Sequence, residues 1–299
     1  MDRELQRFLR YHRTQGSTAL TLSWHTNAIG YFRRFLTEQG LTDTVEDGLT
    51  LAYARDWLDS LRERGLAQRS LASYAQSLKA FSHWLCEEDW IAKDPLAKLK
   101  PPKYDDKAKP SLTPDEVETL LRACTAHNRA AIVGLRDRAI MLTLYSTGLR
   151  SAELVGLQCA DLDWDRGLML IQRGKGGKYR QVPLMGKAEK ALDRYLSDKD
   201  HPDTGGVFLT DEGEPLSQNG LTCMLRRYEG WTGIRCQPHK WRHSAAIQYL
   251  RNGGKIETLR AMLGHTTLTM TLHYARIAGV DLAAAHEVAD PARTLKVRV

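Results

Sequence analysis

At 299 residues, 42% hydrophobic and 26% charged, the chain is long enough for two ordinary domains, and its composition is that of a soluble globular protein, which excludes a disordered or membrane-embedded one. The formal net charge of +7, most of it beyond the first hundred residues, is the sign expected of a protein that meets a polyanion. No run approaches the ~18 apolar residues of a membrane span, the charged start MDRELQRFLRYHR is unlike a signal peptide, and the scattered Cys86, Cys124, Cys159, Cys223 and Cys236 contain no CxxC pair, so a cytoplasmic protein with reduced, packed cysteines and no membrane partner is expected.

The first hundred residues read as helix. ELQRFLRYHR opens the chain, and TLSWHTNAIGYFRRFLTEQG then sets Trp24, Ala28, Tyr31, Phe32, Phe35 and Leu36 at three-and-four spacing before stopping at Gly40. YARDWLDSLRERG and SLASYAQSLKAFSHWLCEEDW repeat the pattern, which predicts a four-helix bundle over residues 1–100. Arginines at 7, 10, 13, 33 and 34 allow a basic stripe on it. The proline- and charge-rich PLAKLKPPKYDDKAKPSLTPDE reads as a linker over 101–110. Thr113 followed by Pro114, Asp115 and Glu116 is a helix start, so a second domain is expected over 111–299.

In that domain DRAIMLTLYSTG and SAELVGLQ read as helix, after which the period changes. GLMLIQ and YRQVPL are strand-like and joined by RGKGGK, a hairpin. Helices return at KAEKALDRYLSD, SQNGLTCMLRRYEG, WRHSAAIQYLRNGG and IETLRAMLGH. The fold class is therefore mainly α, with a helical N-terminal bundle and a mostly helical second domain that carries one small antiparallel sheet.

Four runs of the second domain carry chemistry: TGLRSAEL, RGKGGKYRQVPL, PHKWRH, and LGH followed by HY. Each has an ordinary reading. Arg150 can be a surface arginine paired with Glu153, Lys175 and Lys178 the solvated tip of a hairpin, His265 a helix cap, and Tyr274 a packing residue. The turn lacks GxxxxGK[ST], so it is no nucleotide loop, and His239, His243, His265 and His273 have neither HExxH spacing nor an accompanying carboxylate, so neither metal nor cofactor is expected. Taken together the residues are different. Arginines and histidines suit the non-bridging oxygens of a phosphate on which charge builds, a lysine can protonate a departing oxygen, and a tyrosine can attack phosphorus.

In this combination the chain resembles the tyrosine recombinases, the phage-integrase family, and among them most the Xer and the short phage and transposon integrases. The resemblance covers nearly the whole chain: TGLRSAEL supplies the first arginine, Arg150; GKGGK the hairpin lysine, Lys175; HKWR the pair His239 and Arg242; LGH supplies His265, and the nucleophile falls on Tyr274 nine residues later. VPL after the hairpin and LTPDEVETLL at the domain start agree. Trp241 stands where relatives usually have an aliphatic residue, and Ala152 where they have serine. The resemblance implies a DNA breaking-rejoining catalytic domain behind a core-binding domain, a clamp on double-stranded DNA, and site-specific recombination through a 3′-phosphotyrosyl intermediate. It further implies a homotetramer on paired sites, with or without a related recombinase, and a tail helix, Leu282 to Val288, that docks on a neighbour. A type IB topoisomerase and a non-catalytic DNA-binding regulator are the alternatives.

Overall fold

The computed structural model describes residues 1–104, 110–127, 130–172, 179–198 and 205–279. The chain divides into two compact units, Met1–Lys107 and Ala108–Val299. The division falls inside the expected linker, of which residues 105–109 lie outside the described residues.

Hydroxyl caps start the helices of the first unit wherever a threonine precedes an apolar stripe. Of its helices, α1 (Asp2–Thr14), α2 (Ala19–Glu38), α3 (Val45–Gly48), α4 (Leu51–Glu63) and α5 (Gln68–Glu87), the second, third and fourth begin on Thr18, Thr44 and Thr50, each accepting from the backbone N–H three residues on. The stripes meet around Phe8, Ile29, Phe32, Trp57, Leu71 and Phe81. Four helices were expected and α3 is a fifth: at four residues it is too short to show a period. His25 is buried in this core, its Nδ1 2.9 Å from the Ser77 hydroxyl and its ring 4.7 Å from that of His12.

In the second unit α6 (Pro114–Ala126) opens with a reciprocal cap: Thr113 accepts from Glu116 N, and Glu116 accepts from Thr113 N. Next comes α7 (Ala131–Thr147), buried on most sides, with Ile140, Met141 and Leu144 in the core. Its buried Asp137 accepts from Arg136 Nε and from the Tyr228 hydroxyl, both at 2.9 Å. After the short α8 (Ser151–Val155) a three-stranded antiparallel sheet forms in the order β1 (Leu162–Asp163), β2 (Leu168–Gln172), β3 (Tyr179–Pro183). The hairpin expectation predicted β2 and β3; β1 adds two residues on the edge. The hairpin tip, 173–178, lies outside the described residues and takes Lys175 and Lys178 with it.

Strand alternation sets what points inward: Met169 pairs with Val182 and Ile171 with Arg180, and all four are buried. A charged residue thereby enters an apolar face, and it must find partners there. Helices α9 (Lys187–Leu196), α10 (Gln218–Thr232), α11 (Pro238–Arg251), α12 (Ile256–Leu263) and α13 (Thr269–Ala278) complete the unit. Trp241, fully buried on α11 and edge-on to Tyr145, fills the core behind the candidate residues. Cys124 and Cys236 pack as expected, whereas Cys159 and Cys223 are exposed. Among the described residues no helix is long and apolar enough to cross a membrane.

Candidate active site

Two helix ends create the frame. Both α7 and α12 stop on glycines in the left-handed region, Gly148 at φ 64° and Gly264 at φ 65°, which only glycine adopts readily, and the turns leave carbonyls facing one side chain. That side chain is Arg242, 6% exposed, on α11. Its Nη1 donates to Gly148 O at 2.5 Å, and its Nη2 donates to Leu263 O at 2.8 Å. Nη2 also meets His265 Nε2 at 3.1 Å. The Nε–H and one Nη1–H have no partner among the described residues.

His265 is 7% exposed and follows the Gly264 turn. A guanidinium can only donate, so His265 Nε2 accepts, and the neutral ring carries its proton on Nδ1, 2.9 Å from the buried Thr271 hydroxyl of α13. Burial first, and then the charges of Arg242, Arg150 and Arg180, lower its pKa from 6.5 to about 4, which keeps the ring neutral. In this arrangement the imidazole orients Arg242 and has no free proton of its own.

Burial is also the first reason that Arg242 is lowered from 12.5 to about 10, followed by repulsion from Arg150, with Glu153 and Tyr274 acting in the opposite sense. The guanidinium stays charged at neutral pH. Arg150 sits at the N-cap of α8, its side chain 43% exposed, and its Nη1 donates to Glu153 Oε1 at 2.9 Å. Glu153 also accepts from Arg150 N at 2.8 Å and from both terminal nitrogens of Arg180, at 2.8 and 2.7 Å. Burial alone would raise the pKa of Glu153, but the hydrogen bonds from Arg180 and Arg150 and the charge of Arg180 outweigh it and bring the group down to about 2. Three guanidiniums against one carboxylate leave an excess of two positive charges, which suits a phosphoryl group whose negative charge grows during reaction.

Tyr274 lies half-buried on α13, its ring stacked on that of His265 at 6.1 Å and 13°, and 5.4 Å from the ring of His243. The α13 helix is held by a small cluster that includes Ile247, Leu250, Leu259 and Leu263, against which Tyr274 and Ile277 pack. Of the six residues singled out from sequence, Arg150, Arg242, His265 and Tyr274 therefore share one electrostatic neighbourhood. His239 is exposed on the first turn of α11 and hydrogen-bonds to none of them among the described residues. Lys175 is outside the described residues. Among those described, no group of three or more His, Cys, Asp or Glu is arranged to hold a metal.

Sequence reasoning missed Arg180 and Thr271 and took Glu153 only as a surface partner of Arg150. The available signal for Arg180 was its place in the strand, two residues before the buried Val182.

Residues 110–279 match the Phage integrase family. The chain is 32% identical over 273 residues to a tyrosine recombinase XerC of Bacillus pumilus, covering 87% of each chain. It is 31% identical over 291 residues to a tyrosine recombinase XerA of Pyrococcus furiosus, covering 96% of this chain and 93% of that one. The integrase of transposon Tn1549, solved in complex with a circular intermediate DNA, shares the fold with a TM-score of 0.73 at 22% identity, over 91% of this chain and 94% of that one.

Proposed function

Since the chain belongs to the phage integrase family and is a tyrosine site-specific recombinase, we propose that Tyr274 is the nucleophile that breaks and rejoins DNA strands at its recombination sites. The observation that carries this is the meeting of a buried Arg242, two of whose N–H groups have no partner among the described residues, with Arg150 and a half-buried tyrosine. Duplex DNA as the partner is supported by the charge excess and by the DNA complex of the Tn1549 integrase.

In this reading the Tyr274 hydroxyl oxygen attacks phosphorus, the bond to the 5′ oxygen breaks, and the enzyme is left on the 3′ phosphate. A phenol holds its proton at neutral pH, so His239 accepts it, and Lys175 protonates the departing 5′ oxygen. Arg150 and Arg242 carry the non-bridging oxygens, with His265 orienting Arg242. The guanidiniums supply the charge stabilisation that a metal provides at other phosphoryl-transfer sites. The phosphotyrosine keeps the energy of the broken bond, and the 5′ hydroxyl of a partner strand reverses the step on a new strand without ATP. A homotetramer on two sites would hold the four strands, and a tail donated by each subunit to a neighbour would close the assembly into a ring.

Nicked suicide duplexes carrying a recombination site trap the covalent intermediate, because the short 5′ fragment diffuses away. The intact protein is expected to form an adduct and Tyr274→Phe none; an adduct from the variant assigns the nucleophile to another residue. A wild-type protein that binds but never forms an adduct would be a regulator, and relaxation of supercoils without exchange between paired sites would mark a topoisomerase.

A further inference from the structure

We infer that Arg180 is a positioning residue that keeps Arg150 available to the phosphate by saturating Glu153, an inference that rests on the phosphate-binding reading of Arg150. Glu153 is the side chain nearest to competing with DNA for Arg150: it lies three residues away, only 12% exposed, and already accepts from both the Arg150 backbone and its guanidinium. An arginine prefers two parallel bonds to a carboxylate, and a carboxylate left with one counter-ion would draw Arg150 into that fork. Arg180 occupies the fork instead. Its Nη1 and Nη2 take one oxygen each, so that with the two bonds from Arg150 all four lone-pair positions of Glu153 are filled.

The anchoring of Arg180 explains why it cannot drift. At 8% exposure it points inward from β3, opposite Ile171, and its Nε donates to Met262 O at 2.7 Å. Leu263, the next residue, supplies the carbonyl that holds Arg242 Nη2. Arg180 thus ties the Arg150–Glu153 turn to the end of α12, beside the carbonyl that holds Arg242. The guanidinium of Arg150, on a side chain 43% exposed, keeps a single side-chain bond to Glu153.

The test is the single-turnover rate on a nicked suicide duplex at saturating protein, with half-site affinity and thermal melting followed in parallel. Arg180→Met is expected to lower the cleavage rate about 10- to 100-fold, the size of the loss when the partner that orients a metal ligand is removed, with half-site affinity changed little. Glu153→Gln leaves Arg180 buried without its counter-charge and is expected to lose rate as well. The double variant Arg180→Met with Glu153→Gln removes the competitor together with its neutraliser, and should cleave faster than either single variant. Arg180 is buried and its neutral replacement can cost folding, so Arg180→Lys is included: it keeps one charge beside Glu153 and should recover much of the rate lost in Arg180→Met. Equal loss in the Lys and Met variants, together with a double variant no faster than the singles, means that Arg180 is only a structural tie and overturns the inference. Arg150→Gln separates the two levels: if it cleaves normally, the phosphate-binding reading itself fails, whereas if it is inactive while the Lys and Met variants lose rate equally and the double variant is no faster than the singles, only the role of Arg180 does.

Discussion

A phenyl ring in place of Tyr274 keeps the stacking on His265 and removes one oxygen, so Tyr274→Phe should bind a half-site as tightly as the parent while forming no covalent adduct. The lysine assignment has its own chemical test. If Lys175 protonates the leaving oxygen, Lys175→Ala should regain cleavage on a substrate with a 5′ thiolate leaving group, which needs no proton. Rescue of Lys178→Ala in its place would move the role by three residues along the hairpin. Acid sensitivity is a further single-residue property. His265 and His25 are both lowered from 6.5 to about 4, chiefly by burial. Between those values the unfolded chain binds protons that the folded chain does not, so stability falls as pH drops from 6.5 to 4 and levels off below, by about 1.4 kcal/mol per pH unit for each histidine at most. Glu153, lowered to about 2, adds a loss in the same direction as pH falls from its ordinary 4.5 toward 2. The two histidines lie in different units, so melting curves recorded from pH 7 to 4 should show His25→Gln flattening the response of one unit and His265→Gln that of the other. An unchanged pH response in both variants would contradict the burial argument.

At the scale of elements, Gly148 joins fold to chemistry. It ends α7 at φ 64°, its carbonyl holds Arg242, and a Cβ added there would stand 2.7 Å from Leu263 Cδ2. Gly148→Ala combines left-handed backbone strain of roughly 1–2 kcal/mol with an overpacked contact of about 1–3 kcal/mol, and the shift of Leu263 should slow cleavage too, because Leu263 O is the second anchor of Arg242. Melting and suicide-substrate rates check it; a variant as stable and as fast as the parent would show that the turn relaxes freely. Much of this was legible in the sequence. The stop of α7 at TG, the Thr113–Glu116 cap and the alternation of GLMLIQ with YRQVPL are local patterns, and short motifs single out Arg150, Arg242, His265 and Tyr274, although α13, the helix that carries Tyr274, is not among the expected elements. What escaped notice is non-local. Arg180 finds Glu153 across 27 residues and Met262 across 82, and nothing in a strand's own period names those partners. The short α3 and β1 lack enough residues to show a period at all.

The assembly that recombination requires is the property of the whole molecule on which the chain's own end bears most directly. Residues 280–299 lie outside the described residues; in the sequence GVDLAAAHEVADPARTL, Leu282 to Val288 reads as a short helix, and a helix this short needs a surface on which to bury its apolar side. If the surface belongs to a neighbour, every protomer donates a tail and accepts one, a head-to-tail contact that closes into a ring. Truncation after Gly279 should then leave binding to one half-site nearly intact, since none of the six proposed catalytic residues is removed, and weaken cooperative filling of two adjacent half-sites. It should also lower cleavage, because the deletion begins only six residues beyond Tyr274, which lies on a helix held by the small cluster that includes Ile247 and Leu263. Gel-shift titrations of both proteins on one and on two half-sites measure the difference. Equal cooperativity would mean that the tail packs on its own subunit and that any assembly on paired sites is held through other surfaces, whereas loss of binding to a single half-site would mean that the tail is part of the catalytic unit's own fold.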